Sequence, residues 1–128
     1  DNNKLLRSQA HYNALELGQR PLEIVLENES LAGVLVSCER DPDSVDPVSW
    51  ELCSTYYFLE FNSWEYFYYQ HDDGSIPPQL WTGADAWFKQ KMARNPGYAR
   101  FWSELQIAYD EPFRSYVAAA FAAGRIEQ

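Results

Sequence analysis

The sequence predicts an all-α domain, an antiparallel helical bundle of about five to six helices around a central aromatic helix at residues 48–71. Three observations predict it. The segment from Cys53 to His71 carries Tyr56, Tyr57, Phe58, Phe61, Trp64, Tyr66, Phe67, Tyr68 and Tyr69, with no Gly or Pro among them. Proline and glycine instead punctuate the chain at intervals that suit helices joined by short turns. No segment alternates apolar and polar residues for long enough to make a strand.

Taken in order, residues 2–19 place Leu5, Leu6, Tyr12, Leu15 and Leu17 among polar neighbours, an amphipathic helix that Gly18 and Pro21 break or kink. A second helix is predicted over 22–39. Leu22, Val25, Leu26, Glu29 and Val36 share one side of it, and Ile24, Leu31 and Leu35 lie on another. Glu16, Arg20, Glu23 and Glu27 are spaced by three or four, which makes a solvated charged stripe. Asp41 to Pro47 is a turn, with Asp46 as cap and Pro47 as the first helical residue of the aromatic helix. At roughly 100° per residue, Tyr56, Tyr57, Phe61, Trp64, Phe67 and Tyr68 fill one arc of that helix. Leu52, Phe58, Leu59, Tyr66 and Tyr69 fill most of the other. A helix apolar nearly all round is the buried centre of a bundle.

The aromatic helix stops at Asp72-Asp73-Gly74, and Ser75-Ile-Pro-Pro78 starts a fourth helix with Leu80, Ala84, Trp87, Phe88 and Met92. Asn95-Pro96-Gly97 opens a fifth, striped by Phe101, Trp102, Leu105, Ala108 and Tyr109. Pro112 kinks or restarts it. Phe113, Tyr116, Val117, Ala120 and Phe121 then follow helical spacing to a stop at Gly124. Trp50 and Trp81 sit in first turns, where a large ring staples a loop to the bundle.

The 128 residues form one domain, and an aromatic share of 16% supplies large side chains to bury. The net charge is −9, and the ten basic residues are scattered without a run, which argues against nucleic acid as a partner. Cys38 and Cys53 read as two small buried hydrophobes, with a disulfide between them geometrically conceivable. No apolar run reaches the ~20 residues of a membrane span. The chain opens on Asp1 without an initiator Met, and the expectation is that a signal segment or anchor helix preceded it.

Most catalytic signatures are missing from the sequence. Neither His11 nor His71 follows a Glu by three positions, and there is no His-Glu-x-x-His, Gly-x-Ser-x-Gly or phosphate-cradling glycine loop. No metal or cofactor is expected. Glu60 stands alone as a charge in the middle of the aromatic arc. Burying a bare carboxylate is costly, so it must be neutral, paired or well hydrogen-bonded. The leading expectation is a buried ion pair with Arg20, Arg100 or Arg114 that fixes helix register. The alternative is an aromatic site for a cationic or amine ligand, built from Glu60, Tyr56, Tyr57 and Trp64 with Arg100 and Arg114 nearby.

Three segments, Asp73-Gly-Ser-Ile-Pro-Pro-Gln-Leu-Trp81, Asn95-Pro-Gly-Tyr-Ala-Arg-Phe-Trp102 and Pro112-Phe-Arg-Ser-Tyr-Val117, resemble a set of uncharacterised bacterial helical proteins. The resemblance covers the C-terminal half and, more loosely, the first helices. It implies an N-terminal membrane anchor followed by a small all-α domain outside the bilayer, and it brings no catalytic residues. The expected function is therefore a non-enzymatic interaction or sensory domain of a membrane-tethered protein, pairing with an unknown protein partner or as a homodimer through residues 1–36. The alternative is a small-ligand binding bundle that uses the aromatic helix and Glu60.

Overall fold

The structure is a computed structural model that describes residues 19–127 together with Gln9, Asn13 and Glu16. Among these residues it is all-α, with six helices, one 3-10 turn and no strand. The helices are α1 (19–27), α2 (Glu29–Arg40), α3 (Pro47–Asp72), α4 (Pro78–Lys91), α5 (Pro96–Leu105) and α6 (Phe113–Glu127). The 3-10 turn Gln106–Ala108 prolongs α5. No described helix is long and apolar enough to cross a membrane. The predicted first helix, residues 2–19, lies almost wholly outside the described residues.

Local chemistry sets most helix starts. The Asp46 side chain accepts hydrogen bonds from the Ser49 N–H and the Ser49 hydroxyl, both at 2.9 Å, and Pro47 follows it as the first helical residue. Those bonds favour the charged form and hold the Asp46 carboxyl below its usual range. Pro78 and Pro96 open α4 and α5 in the same way, each at a position whose N–H needs no helical partner. Gly74, with φ of 77°, turns the chain out of α3 in the left-handed region that favours glycine. Pro112 lies in the turn before α6, so it restarts a helix that had already ended at Leu105.

Of the expected break or kink, Gly18 lies outside the described residues, and at Pro21 the helix does not break. The helix runs through Pro21 to residue 27, and the break falls at Asn28, which is extended. A proline withholds one N–H, whereas the Asn28 side chain offers a competing acceptor and takes the Leu31 N–H at 3.2 Å as cap of α2. The break resets the helical phase, so the predicted arc of Leu22, Val25, Leu26, Glu29 and Val36 no longer shares one face. Leu26 is 83% exposed, and Glu29 and Val36 are also exposed. The inner face of α2 is Leu31, Leu35 and Cys38.

α3 is the centre of the bundle and packs against α2, α4 and α5. Its aromatic rings also meet Phe113, Tyr116 and Phe121 of α6. Phe61 is the hub, stacked on Phe101 at 4.9 Å, Trp102 at 5.6 Å and Phe121 at 6.4 Å. Burial is one-sided, however. Trp50, Cys53, Tyr57, Phe61, Trp64 and Phe67 are buried, while Leu52, Phe58 and Leu59 stay exposed, because the surrounding helices gather on the other arc.

Two glycines set helix approach. A Cβ at Gly97 would lie 2.6 Å from the Cys38 carbonyl oxygen, so α5 reaches α2 only because that position is bare. Gly124, expected as a helix stop, lies inside α6, where a Cβ would come 2.9 Å from the Ala93 carbonyl oxygen. Its role there is close packing rather than termination. Cys38 and Cys53 form a disulfide, with both residues fully buried and 15 positions apart. The bridge ties the end of α2 to the start of α3. It replaces the reading of two separate buried thiols.

Candidate binding site

Glu60 sits midway along α3 and is 1% exposed. The helix delivers it inward because position 60 falls on the same arc as Tyr56, Tyr57, Trp64 and Phe67. Tyr98 of α5 donates its hydroxyl hydrogen to Glu60 Oε1 at 2.9 Å. The same hydroxyl lies 3.3 Å from Glu39 Oε1 of α2, and one hydrogen serves the nearer oxygen best. Among the described residues, Glu60 Oε2 has no hydrogen-bond partner, nor do the buried hydroxyls of Ser63 and Tyr57 or the ring nitrogen of Trp64. Four unpartnered polar atoms in one stretch of helix are unusual in a packed interior.

Burial pushes the Glu60 carboxyl up to about 7. The Tyr98 hydrogen bond and the Lys91 charge pull it back, and Glu39 pushes it further up. Burial also raises Tyr98, with the charges of Glu60 and Glu39 adding to it. Tyr57 is raised for the same reasons. Beside the carboxyl is a cavity of about 10 Å³, bounded by Pro21, Leu22, Glu60, Ser63, Trp87 and Phe88. That is room for about one water.

The residues expected around Glu60 are only partly brought together. Tyr57 is adjacent, its ring 4.3 Å from that of Tyr98. Tyr56 uses its hydroxyl on the Pro21 carbonyl oxygen at 3.0 Å, which ties α1 to α3. Trp64 is fully buried, its ring stacked on Phe88 at 5.2 Å.

Arg100 and Arg114 are engaged elsewhere, so the expected ion pair with either is corrected. Arg100 lies over the Trp50 ring at 4.1 Å, donates to the Pro42 carbonyl oxygen at 2.6 Å, and pairs with Glu104 at 3.1 Å. Trp50 in turn donates to Glu104 at 3.0 Å. The planar guanidinium thereby clasps the loop between α2 and α3 onto α5. Arg114 donates to the Tyr109 carbonyl oxygen at 2.8 Å, closing the turn before α6. Arg20 is exposed on α1.

Tyr98, Glu39 and Ser63 are the neighbours that sequence reasoning missed. Tyr98 carries a general signal, since a buried tyrosine needs a partner for its hydroxyl. Nothing local in the chain pairs it with a residue 38 positions away.

Among the described residues, no three of His, Cys, Asp and Glu converge as metal ligands. No protein-family model matches the chain, and comparison with curated proteins and with solved structures likewise returns no match.

Proposed function

We propose that this chain is a non-enzymatic binding domain whose Glu60 carboxylate receives a cationic, amine-bearing small molecule. One observation carries the reading: a carboxyl 1% exposed has one oxygen without a partner, and that residue borders a cavity that neither Arg100 nor Arg114 fills. A carboxylate left unpaired in a dry interior is destabilising, and the empty site relieves this by taking up a proton. A bound ammonium supplies the missing charge and a hydrogen-bond donor together. The Cys38–Cys53 bridge supports folding in an oxidising compartment, where such bridges persist.

The test is thermal unfolding of the wild type and Glu60→Gln against a panel of amines and their neutral alcohol counterparts. An amine should raise the melting temperature of the wild type and leave Glu60→Gln unmoved, with no alcohol acting on either. Equal protection of both proteins, or none of the wild type by any amine, refutes the reading.

A further inference from the structure

We infer that the ligand is an amphiphile, a primary amine with an apolar tail, whose ammonium group sits at Glu60 and Ser63 and whose tail lies between α1 and α4. This rests on the binding role proposed for Glu60. The cavity at that carboxyl shares walls with a larger one. Three of its walls, Leu22, Trp87 and Phe88, are also walls of a groove of about 320 Å³ that continues outward past Phe67, Leu80 and Ala84. Polar head and apolar tail sites therefore have three side chains in common as walls.

The two compartments differ in what they accept. The inner one is the size of a water molecule, and an ammonium group has the same size. A trimethylammonium group does not fit. Two residues that border it, Glu60 and Ser63, each carry an acceptor, Oε2 and Oγ, without a partner among the described residues, so a primary ammonium finds hydrogen bonds waiting. The outer groove is apolar apart from Gln19 and Gln79, both exposed at its surface. Its volume lies at the lower end of the range for small-ligand pockets.

Of the three shared walls, Phe88 is buried in the core, and the other two are open to solvent on one side. Leu22 and Trp87 are 43% and 40% exposed, unlike the core around them. Leu22 rides on α1, which the break at Asn28 separates from α2 and which the Tyr56–Pro21 hydrogen bond holds against α3. Lys91 is the cation closest in kind to the ligand, and its ammonium stands over the Trp87 ring, 5.1 Å from the centroid.

Calorimetric titration at pH 8 with ethyl-, butyl- and hexylamine, hexanol and hexyltrimethylammonium tests the assignment on three proteins. These are the wild type, Glu60→Gln and Gly83→Leu. Gly83 borders the groove, and a Cβ there meets nothing within 4 Å, so a leucine fills the groove without disturbing the core. For the wild type, affinity should rise about fourfold for each methylene added, with hexanol and hexyltrimethylammonium at least tenfold weaker than hexylamine. Gly83→Leu should keep ethylamine binding and lose the gain with length. Glu60→Gln should bind none of the amines. Amines that bind the wild type with no dependence on length overturn the groove assignment and leave Glu60 as the binding group. Hexyltrimethylammonium binding as tightly as hexylamine overturns the ammonium-sized inner compartment. No amine binding at any length removes the Glu60 reading itself.

Discussion

Glu60→Gln keeps the shape of the side chain and removes its titration, which makes the pH dependence of stability a direct readout of the buried carboxyl. Its folded value of about 7 lies above the 4.5 of a free glutamate, so between these values the folded state holds the proton more tightly than the unfolded state. The stabilisation this gives is fully present below pH 4.5 and is lost as the pH rises through about 7. At ~1.4 kcal/mol per pH unit, the gap amounts to about 3 kcal/mol. The charged and titratable groups that face Glu60 are Tyr98 of α5, Glu39 of α2, Lys91 of α4, and Tyr56 and Tyr57 of α3. All are shared by the two proteins and cancel to first order in the difference. Urea unfolding of both proteins from pH 4.5 to 8 should therefore show the wild type losing about 3 kcal/mol relative to Glu60→Gln. A difference that stays flat, or that moves in favour of the wild type as pH rises, means the folded carboxylate is ionised and partnered. Its second oxygen is then no vacant acceptor for an ammonium group.

The Cys38–Cys53 bridge closes a loop of 15 residues, which corresponds to about 3 kcal/mol of loop-closure entropy removed from the unfolded chain. Cys38→Ala/Cys53→Ala should show that loss as a lower urea midpoint, and a midpoint unchanged within error refutes the contribution. Gly97→Ala should destabilise by about 2 kcal/mol despite the better helix propensity of alanine, since its Cβ would fall 2.6 Å from the Cys38 carbonyl oxygen and 2.9 Å from the Tyr57 hydroxyl. Gly83→Ala, where a Cβ meets nothing, serves as the control and should be neutral or stabilising by up to about 1 kcal/mol in the same melt.

The parts of this fold legible in the sequence are those written locally. The aromatic helix, expected at 48–71, runs Pro47–Asp72, because a capping Asp46-Pro47 and a Gly74 turn bracket a run without breakers. What required the folded chain is whatever depends on competition or contact. Pro21 and Asn28 both disfavour a continuous helix, and only the hydrogen bond made by the Asn28 side chain decides between them. Gly124 carries the local signature of a helix end, yet its bare Cα serves the approach to Ala93. Leu26 and Val36 match an inner face by spacing, but they turn outward once the helix is reset between them.

The candidate site follows the same division. Glu60 stands out as the one charge in an aromatic arc, whereas Tyr98, the groove and the diversion of Arg100 to Trp50 come only from elements that meet in space. The nearly all-round apolar character of α3 overstated its burial, since Phe58 and Leu59 remain at the surface.

The covering of the disulfide turns it into a clock. Both cysteines are completely enclosed, and Gly97 of α5 is seated directly on Cys38. A thiol reagent in solution meets the sulfur atoms only after the helices have parted, so the rate of reduction counts how often that happens. Where opening is brief, the rate depends on reagent concentration and reports the free energy of a local excursion. Where every opening leads to reduction, it becomes independent of the reagent and reports the frequency of opening itself. The chain thus carries its own chemical timer for the parting of the helices around the bridge, readable with no added label.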